Sequence, residues 1–217
     1  MTGKRERNKQ QKYFDFLTVA SRLFEEKGVE NTTMLEIAAK SASVTQTLNR
    51  YFPTKNALVL ALLKEDDRVS IKRMELKAKK LPDDPIEGII DLFRAYVDYA
   101  DIINKITVWR EYESIRVSQY GNINDDINAD NLRSDIVGII QNVLNQFAKD
   151  GLLIAGCSIN EITNAIHAFA LLNYHKTLRG NFSSDDEAVA SLRSSVAFII
   201  RPYLVNPTAL DGLNPPA

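Results

Sequence analysis

Residues 32–58 read TTMLEIAAKSASVTQTLNRYFPTKNAL, and they predict two short helices joined by a tight turn. Thr33 and Glu36 have the spacing of a capping box, in which side chains bind the free N–H groups at a helix start. The second short helix runs from about Thr45 to Phe52, because the following proline disfavours helical backbone in the residue before it.

Longer helices are predicted on both sides of this pair. Apolar residues from Tyr13 to Phe24 recur at helical spacing, and Gly28 suits the position just beyond a helix end. Thr54 can cap a following helix that continues to about residue 80. Two short helices between longer ones form a helix-turn-helix, whose second helix enters the DNA major groove. Spacing alone leaves open a helical hairpin with a polar outer face.

The second short helix has an outer face with hydrogen-bonding side chains. Helical spacing directs Val44, Leu48 and Phe52 inward. Amides suit adenine, arginine suits guanine, and hydroxyl groups suit phosphates. The outward and flanking candidates for DNA contact are Thr45, Gln46, Thr47, Asn49 and Arg50.

The residues that match a known pattern are Ala20, Leu23-Phe24, Gly28, Thr32-Thr33, Ile37-Ala38, Thr47-Leu48, Arg50-Tyr51-Phe52-Pro53, Lys55 and Ala57-Leu58. Through them, residues 12–63 resemble the DNA-binding domain of the tetracycline-repressor (TetR) family of bacterial transcription regulators. Two features depart from the family. Asn49 replaces the usual Tyr, and the turn Ser41-Ala42-Ser43-Val44 replaces the usual Ala-Gly-Val-Ser. The turn therefore has either a different geometry or a shift of one residue.

The resemblance assigns a role to each candidate. The implied phosphate contacts are Thr33, Thr47, Tyr51 and Lys55. The residues implied to lie nearest the base edges are Thr45, Gln46, Asn49 and Arg50. A basic N-terminal arm, residues 1–12, could reach the DNA backbone or a minor groove, with a solubilising tail as the alternative.

The charge of the 217-residue chain is divided along its length. Residues 1–80 hold 17 Lys and Arg against 10 Asp and Glu, a balance of +7, whereas residues 81–217 have a balance of −8. A basic segment can attract a phosphate backbone, so the total of −1 does not exclude DNA as a partner. No apolar run is long enough for a membrane span and no secretory signal is visible, so we expect a cytoplasmic protein.

The whole chain is predicted to be all-α. The predicted parts are the arm 1–12, a three-helix helix-turn-helix domain 13–63 joined through a helix to about residue 80, a larger helical regulatory and dimerisation domain 81–205, and a flexible tail 206–217. The second domain begins after Pro82, with Asp84 as N-cap and Pro85 as the first helical residue. The helices predicted in it cover about 86–103, 105–119, 127–149, 159–178 and 186–204.

The resemblance implies that this second domain dimerises through its last two helices and holds a small ligand. The predicted interface residues are Ile162, Ile166, Phe169, Val189, Leu192, Val196, Ile199 and Tyr203, with the core of a monomeric bundle as the alternative. The candidate pocket residues are Trp109, Tyr112, Glu113, Arg116, Phe147, His167 and Tyr174, and ordinary core packing is the alternative for each.

The sequence offers no residues for catalysis, a metal or a cofactor. His167 and His175 are eight residues apart, about 12 Å along a helix, which is too far for one metal ion without further ligands. Cys157 is the only cysteine, so no disulfide framework forms within the chain. No phosphate-binding loop, nucleophile elbow or zinc-protease motif is present.

These observations predict a homodimeric transcription regulator, a repressor that a small molecule releases from a pseudo-palindromic operator. The first alternative is a DNA-binding architectural or division-control protein of the same fold that needs no ligand. The second is a helical interaction module or an enzyme, which would not bind DNA.

Overall fold

The computed structural model describes residues 3–118 and 126–206, with backbone only for residues 126–134. Within these residues the chain is helical and has no strand, which confirms the predicted all-α class; Leu153 and Leu204 form a single antiparallel bridge. The helices are α1 Lys4–Lys27, α2 Met34–Lys40, α3 Thr45–Tyr51, α4 Lys55–Lys77, α5 Pro85–Tyr96, α6 Tyr99–Asn104, α7 Ile106–Ser118, α8 Asp126–Lys149, α9 Ile159–Leu178 and α10 Asp185–Ile200, followed by the 3-10 turn Arg201–Tyr203.

Local capping determines where several helices begin. The Thr33 hydroxyl accepts the Glu36 N–H at 3.2 Å, which is half of the predicted capping box. The Asp84 carboxylate accepts the Ile86 N–H at 2.8 Å, and Pro85 occupies the first helical position as predicted. These caps satisfy N–H groups that have no partner inside the helix.

Two boundaries differ from those predicted from the sequence, and a third lies outside the described residues. Helix α1 begins at Lys4, so most of the expected arm 1–12 is the first part of a helix. The single helix expected over 86–103 is divided into α5 and α6, because Val97 has an extended backbone with φ −106° and ψ 123°. Asp98 then accepts the Asp101 N–H at 2.9 Å and starts α6. The expected tail 206–217 lies outside the described residues from position 207 onward.

The chain forms two compact units. Unit 1 contains Met1–Arg68 and Lys105–Asp126, so α7 belongs with the helix-turn-helix and not with the domain expected to start at residue 81. The physical reason is that Val108 and Tyr112 of α7 are each only 8% exposed, in the apolar core of unit 1. That core also contains Phe16, Leu23, Phe24, Ile37, Leu48 and Leu58.

Unit 2 contains Val69–Asn104 and Ile127–Ala217 and has its own core. Gly88 of α5 lies so close to Phe147 of α8 that a Cβ atom there would be 2.6 Å from the ring. Asn173 is buried, and its amide donates to the Tyr99 hydroxyl at 3.3 Å and to the Ala188 carbonyl at 3.0 Å. Burial raises the pKa of Tyr99 to about 12. None of the described helices is long and apolar enough to cross a membrane.

Candidate nucleic-acid interface

Helices α2 and α3 pack against each other and form the helix-turn-helix of unit 1. Leu48 of α3 is fully buried and Phe52, just beyond the helix, is 3% exposed, so this side of α3 faces the core as predicted. Gln46, Asn49 and Arg50 lie on the exposed side. Within the described residues, these three side chains make no hydrogen bond or ion pair, which leaves their donors and acceptors available to a partner.

In the turn between α2 and α3, one residue other than glycine has a left-handed backbone conformation. Ala42 has φ +46°, the one positive value at a non-glycine residue in the described part of the chain. The turn closes through the Ser43 N–H, which donates to the Ala38 carbonyl at 2.9 Å. Ala42 thus adopts a conformation that glycine favours, at the position where the family pattern has glycine.

Val44 does not face inward as the helical spacing predicted. Its side chain is 64% exposed, because it is the N-cap of α3 and has an extended backbone with φ −96° and ψ 150°. Helical spacing applies only to residues with helical dihedral angles, so it fails at this position. Val44 has no side-chain acceptor, and α3 accordingly has no side-chain cap.

Lys55 makes intramolecular contacts that the predicted phosphate contact would have to replace. Its Nζ donates to the carbonyls of Val29 at 2.6 Å, Glu30 at 3.1 Å and Thr32 at 3.0 Å. These three bonds use all the donors of an ammonium group. Lys55 therefore ties the start of α4 to the loop between α1 and α2, which leads to the capping residue of α2.

Aromatic and basic residues of α1 support the same region. The rings of Phe16 and Tyr51 are 5.4 Å apart, and those of Tyr13 and Phe52 are 5.2 Å apart. Lys12 donates to the Ser41 carbonyl at 3.0 Å, next to the turn. Four exposed basic residues precede Lys12 in the first turns of α1; they are Lys4, Arg5, Arg7 and Lys9.

Comparisons with known proteins agree with this geometry. The family model described as bacterial regulatory proteins, tetR family, matches residues 16–62, which span the second half of α1, all of α2 and α3, and the start of α4. The part of the chain that contains this helix-turn-helix is therefore similar to bacterial regulators of the tetR family. No curated protein matches the chain in sequence.

Solved structures of TetR-family regulators have a similar fold over most of the chain. A regulator from Pectobacterium atrosepticum is 16% identical, with a TM-score of 0.68 over 95% of this chain and 100% of its own. FadR from Bacillus subtilis, solved in complex with stearoyl-CoA, is 17% identical, with a TM-score of 0.62 over 87% and 97%. SmeT, the repressor of a multidrug efflux pump of Stenotrophomonas maltophilia, is 17% identical, with a TM-score of 0.57 over 94% and 96%.

The seven candidate pocket residues of this chain are divided between the two units. Trp109, Tyr112, Glu113 and Arg116 lie on α7 in unit 1, whereas Phe147, His167 and Tyr174 lie in unit 2. Tyr112 packs edge-to-face on Phe24 at 6.1 Å, so its ring supports α1. Phe147 is 5% exposed and fills the core of unit 2 against Gly88. Tyr112 and Phe147 therefore lie in packed cores, as the alternative to a pocket position predicts.

Helix α7 is joined to the helix-turn-helix by polar contacts that the sequence did not reveal. The Glu111 carboxylate accepts the Val29 N–H at 2.6 Å, in the loop that Lys55 also binds. Lys105 pairs with Glu25 of α1 at 3.3 Å, and Arg116 lies 3.7 Å from Asp67 of α4. No local pattern could have indicated these pairs, because their members are at least 49 residues apart in the chain.

The eight predicted dimer residues mostly face the core of unit 2. Five of them are buried within the chain, namely Ile162, Ile166, Val189, Leu192 and Val196. Ile199 and Tyr203 are half-buried. Only Phe169 is exposed, at 39%. An amphipathic stripe identifies an apolar face, and in this chain that face packs mainly inside unit 2. The dimer interface itself stays a prediction.

Proposed function

We propose that this regulator is a homodimeric repressor that binds a pseudo-palindromic operator through α2 and α3 and is released by a small molecule. The observation that carries the proposal is the exposed, unpaired side of α3, with Gln46, Asn49 and Arg50 inside a family-matched helix-turn-helix. A helix of this kind lies in the major groove, where amide and guanidinium groups read base edges. Its working compartment is the cytoplasm.

Phosphate contacts hold α3 in register on the DNA. Thr33 is exposed at the start of α2, and Thr47 and Tyr51 are half-exposed on the flanks of α3. The basic first turns of α1 add contacts with the backbone. Lys55 acts in a different way from that implied by the resemblance, since its three carbonyl bonds keep the loop before α2 in place.

A second copy of the chain covers the exposed apolar surface of α9 and α10. Phe198 is 78% exposed, Leu172 is 44% exposed, and Phe169 is 39% exposed. Large apolar side chains exposed on two consecutive helices are typical of a protein interface. The dimer would present two copies of α3 to half-sites about one DNA turn apart.

A small molecule in unit 2 releases the DNA by favouring a different arrangement of α3. It must bind the released state more tightly than the DNA-bound state, and DNA must weaken its binding by the same factor. Three covalent connections can carry the change, since the chain passes between the units after Arg68 in α4, after Asn104 at the end of α6 and after Asp126 in α8. Within unit 1, α7 then acts on the loop at Val29 through Glu111.

The test begins with selection of bound sites from random DNA, followed by anisotropy titrations at several salt concentrations. We expect an inverted repeat, binding that weakens steeply with salt, and release by one member of a metabolite panel. Long-chain acyl-CoAs head the panel, because the Bacillus subtilis relative was solved with stearoyl-CoA. Absence of DNA binding at low salt would overturn the proposal. An enriched site without release by any compound would favour the ligand-independent architectural protein.

A further inference from the structure

Val44 is an exposed apolar side chain at the start of α3, whose outer face carries polar residues. It is 64% exposed, and Gln46 and Asn49, two and five residues later, are also exposed. A Ser, Thr, Asp or Asn at this N-cap would stabilise α3 through a hydrogen bond, which valine cannot make. The chain thus has an exposed branched side chain where a polar one would benefit the helix.

The chemistry of these three side chains matches one kind of base pair. Gln46 and Asn49 are three residues apart, so they lie on neighbouring positions of one helix face. Their amides can each donate to N7 and accept from N6 of adenine. Adenine pairs with thymine, whose C5-methyl group is the apolar feature of the major groove and accepts van der Waals contact from side chains such as valine.

We propose that Val44, Gln46 and Asn49 form an A·T-reading surface, in which the amides bind adenine and Val44 contacts a thymine methyl group. The proposal rests on the function proposed above, because it requires α3 to enter the major groove. It adds the base composition of the half-site and gives a specificity role to Val44. Arg50, exposed on the same helix, remains available for guanine or phosphate.

The test uses deoxyuridine, which lacks only the methyl group of thymine. After a site has been selected from random DNA, each thymine of the half-site is replaced in turn, and affinity is measured for the wild-type protein and for Val44→Ala. We expect A·T pairs in the centre of the half-site and one thymine whose replacement weakens wild-type binding about four-fold in one half-site and about fifteen-fold in both. Val44→Ala should bind the thymine and uracil sites equally.

Two further variants separate the contact from general effects. Val44→Ser supplies a helix cap and removes the methyl groups, so it should keep or raise stability while losing the preference for thymine over uracil. Leu35→Ala removes a 70% exposed apolar side chain from α2 and should leave that preference unchanged.

The possible results distinguish this proposal from the proposed function. If the wild-type protein binds a selected site but treats thymine and uracil alike, or if Val44→Ala keeps the preference, the A·T-reading surface is overturned while DNA binding stands. Half-sites made of G·C pairs would also overturn it. If no sequence is enriched and no DNA is bound at low salt, the proposed function itself fails.

Discussion

Ala42 adopts a backbone conformation in the turn that is unfavourable for a residue with a side chain. A Cβ atom in the left-handed region crowds the neighbouring backbone, and the cost is about 1–2 kcal/mol for residues other than glycine. Ala42 has φ +46°, so the turn between α2 and α3 stores strain of this kind. The surrounding contacts of α2 and α3 with the core must supply the compensating stability.

Ala42→Gly should therefore increase the free energy of unfolding by about 1 kcal/mol, because glycine adopts this conformation without a clash. Urea denaturation monitored by circular dichroism measures the change. The matched control is Ala39→Gly in α2, an exposed helical position, which should lower stability by about 0.5–1 kcal/mol. Equal destabilisation by both variants would show that the turn is unstrained.

Lys55→Met should destabilise the protein in the absence of DNA. The substitution removes three hydrogen bonds from one charged donor and leaves loop carbonyls without a partner, at a cost of about 2–3 kcal/mol. Thermal and urea denaturation without DNA are the measurements. Lys64→Met, at an exposed position of α4, is the control and should change stability little. If Lys55→Met lost DNA affinity at unchanged stability, a direct phosphate contact would be the better account.

At the scale of elements, α4 and α7 share a half-buried charge cluster. Asp67 of α4 lies near Arg116 of α7, which also lies 3.6 Å from Glu113. Burial raises the pKa of Asp67 from 3.8 to about 6, and the positive charge of Arg116 only partly opposes this shift. In the unfolded chain Asp67 loses its proton more readily than in the folded protein. Between pH 4 and about 6 the folded state therefore binds more protons than the unfolded state.

The free energy of unfolding should consequently fall as the pH rises from about 4 to about 6. The contribution of Asp67 is about 1–3 kcal/mol. Asp67→Asn removes the titrating group and should flatten this part of the stability curve, which denaturant titrations at a series of pH values would measure. Asp66→Asn, its exposed neighbour, should keep the wild-type slope. An unchanged slope in Asp67→Asn would contradict the assignment.

At the scale of the whole molecule, the proposed dimer depends on the exposed apolar surface of α9 and α10. Phe198→Glu places a charge where the proposed dimer buries an aromatic ring from each copy, so the dimer dissociation constant should rise about a hundred-fold. Sedimentation velocity over a concentration series measures it, and operator affinity should fall in parallel. Leu76→Glu, at a 55% exposed position on α4, should remain dimeric. A monomeric wild-type protein, or a dimeric Phe198→Glu, would place the interface elsewhere.

Local chemistry made much of the fold predictable. The hydroxyl of Thr33, the carboxylate of Asp84 and the ring of Pro85 act on backbone groups within a few residues, so their effects can be recognised along the chain. The periodic apolar residues likewise predicted the helices and the buried side of α3 at Leu48. The same helical spacing also predicted that Gln46, Asn49 and Arg50 would face outward as candidate DNA contacts, and all three are exposed.

Contacts between distant residues could not be derived in this way. The inclusion of α7 in unit 1 depends on the burial of Tyr112 against Phe24, and the role of Lys55 depends on carbonyls more than twenty residues away. Periodicity identifies an apolar stripe but not whether its own chain or a second copy covers it, which is why Val196 was predicted at a dimer surface and lies in the core. Burial depends on three-dimensional packing, and only the folded chain determines which surfaces remain for DNA and for a partner.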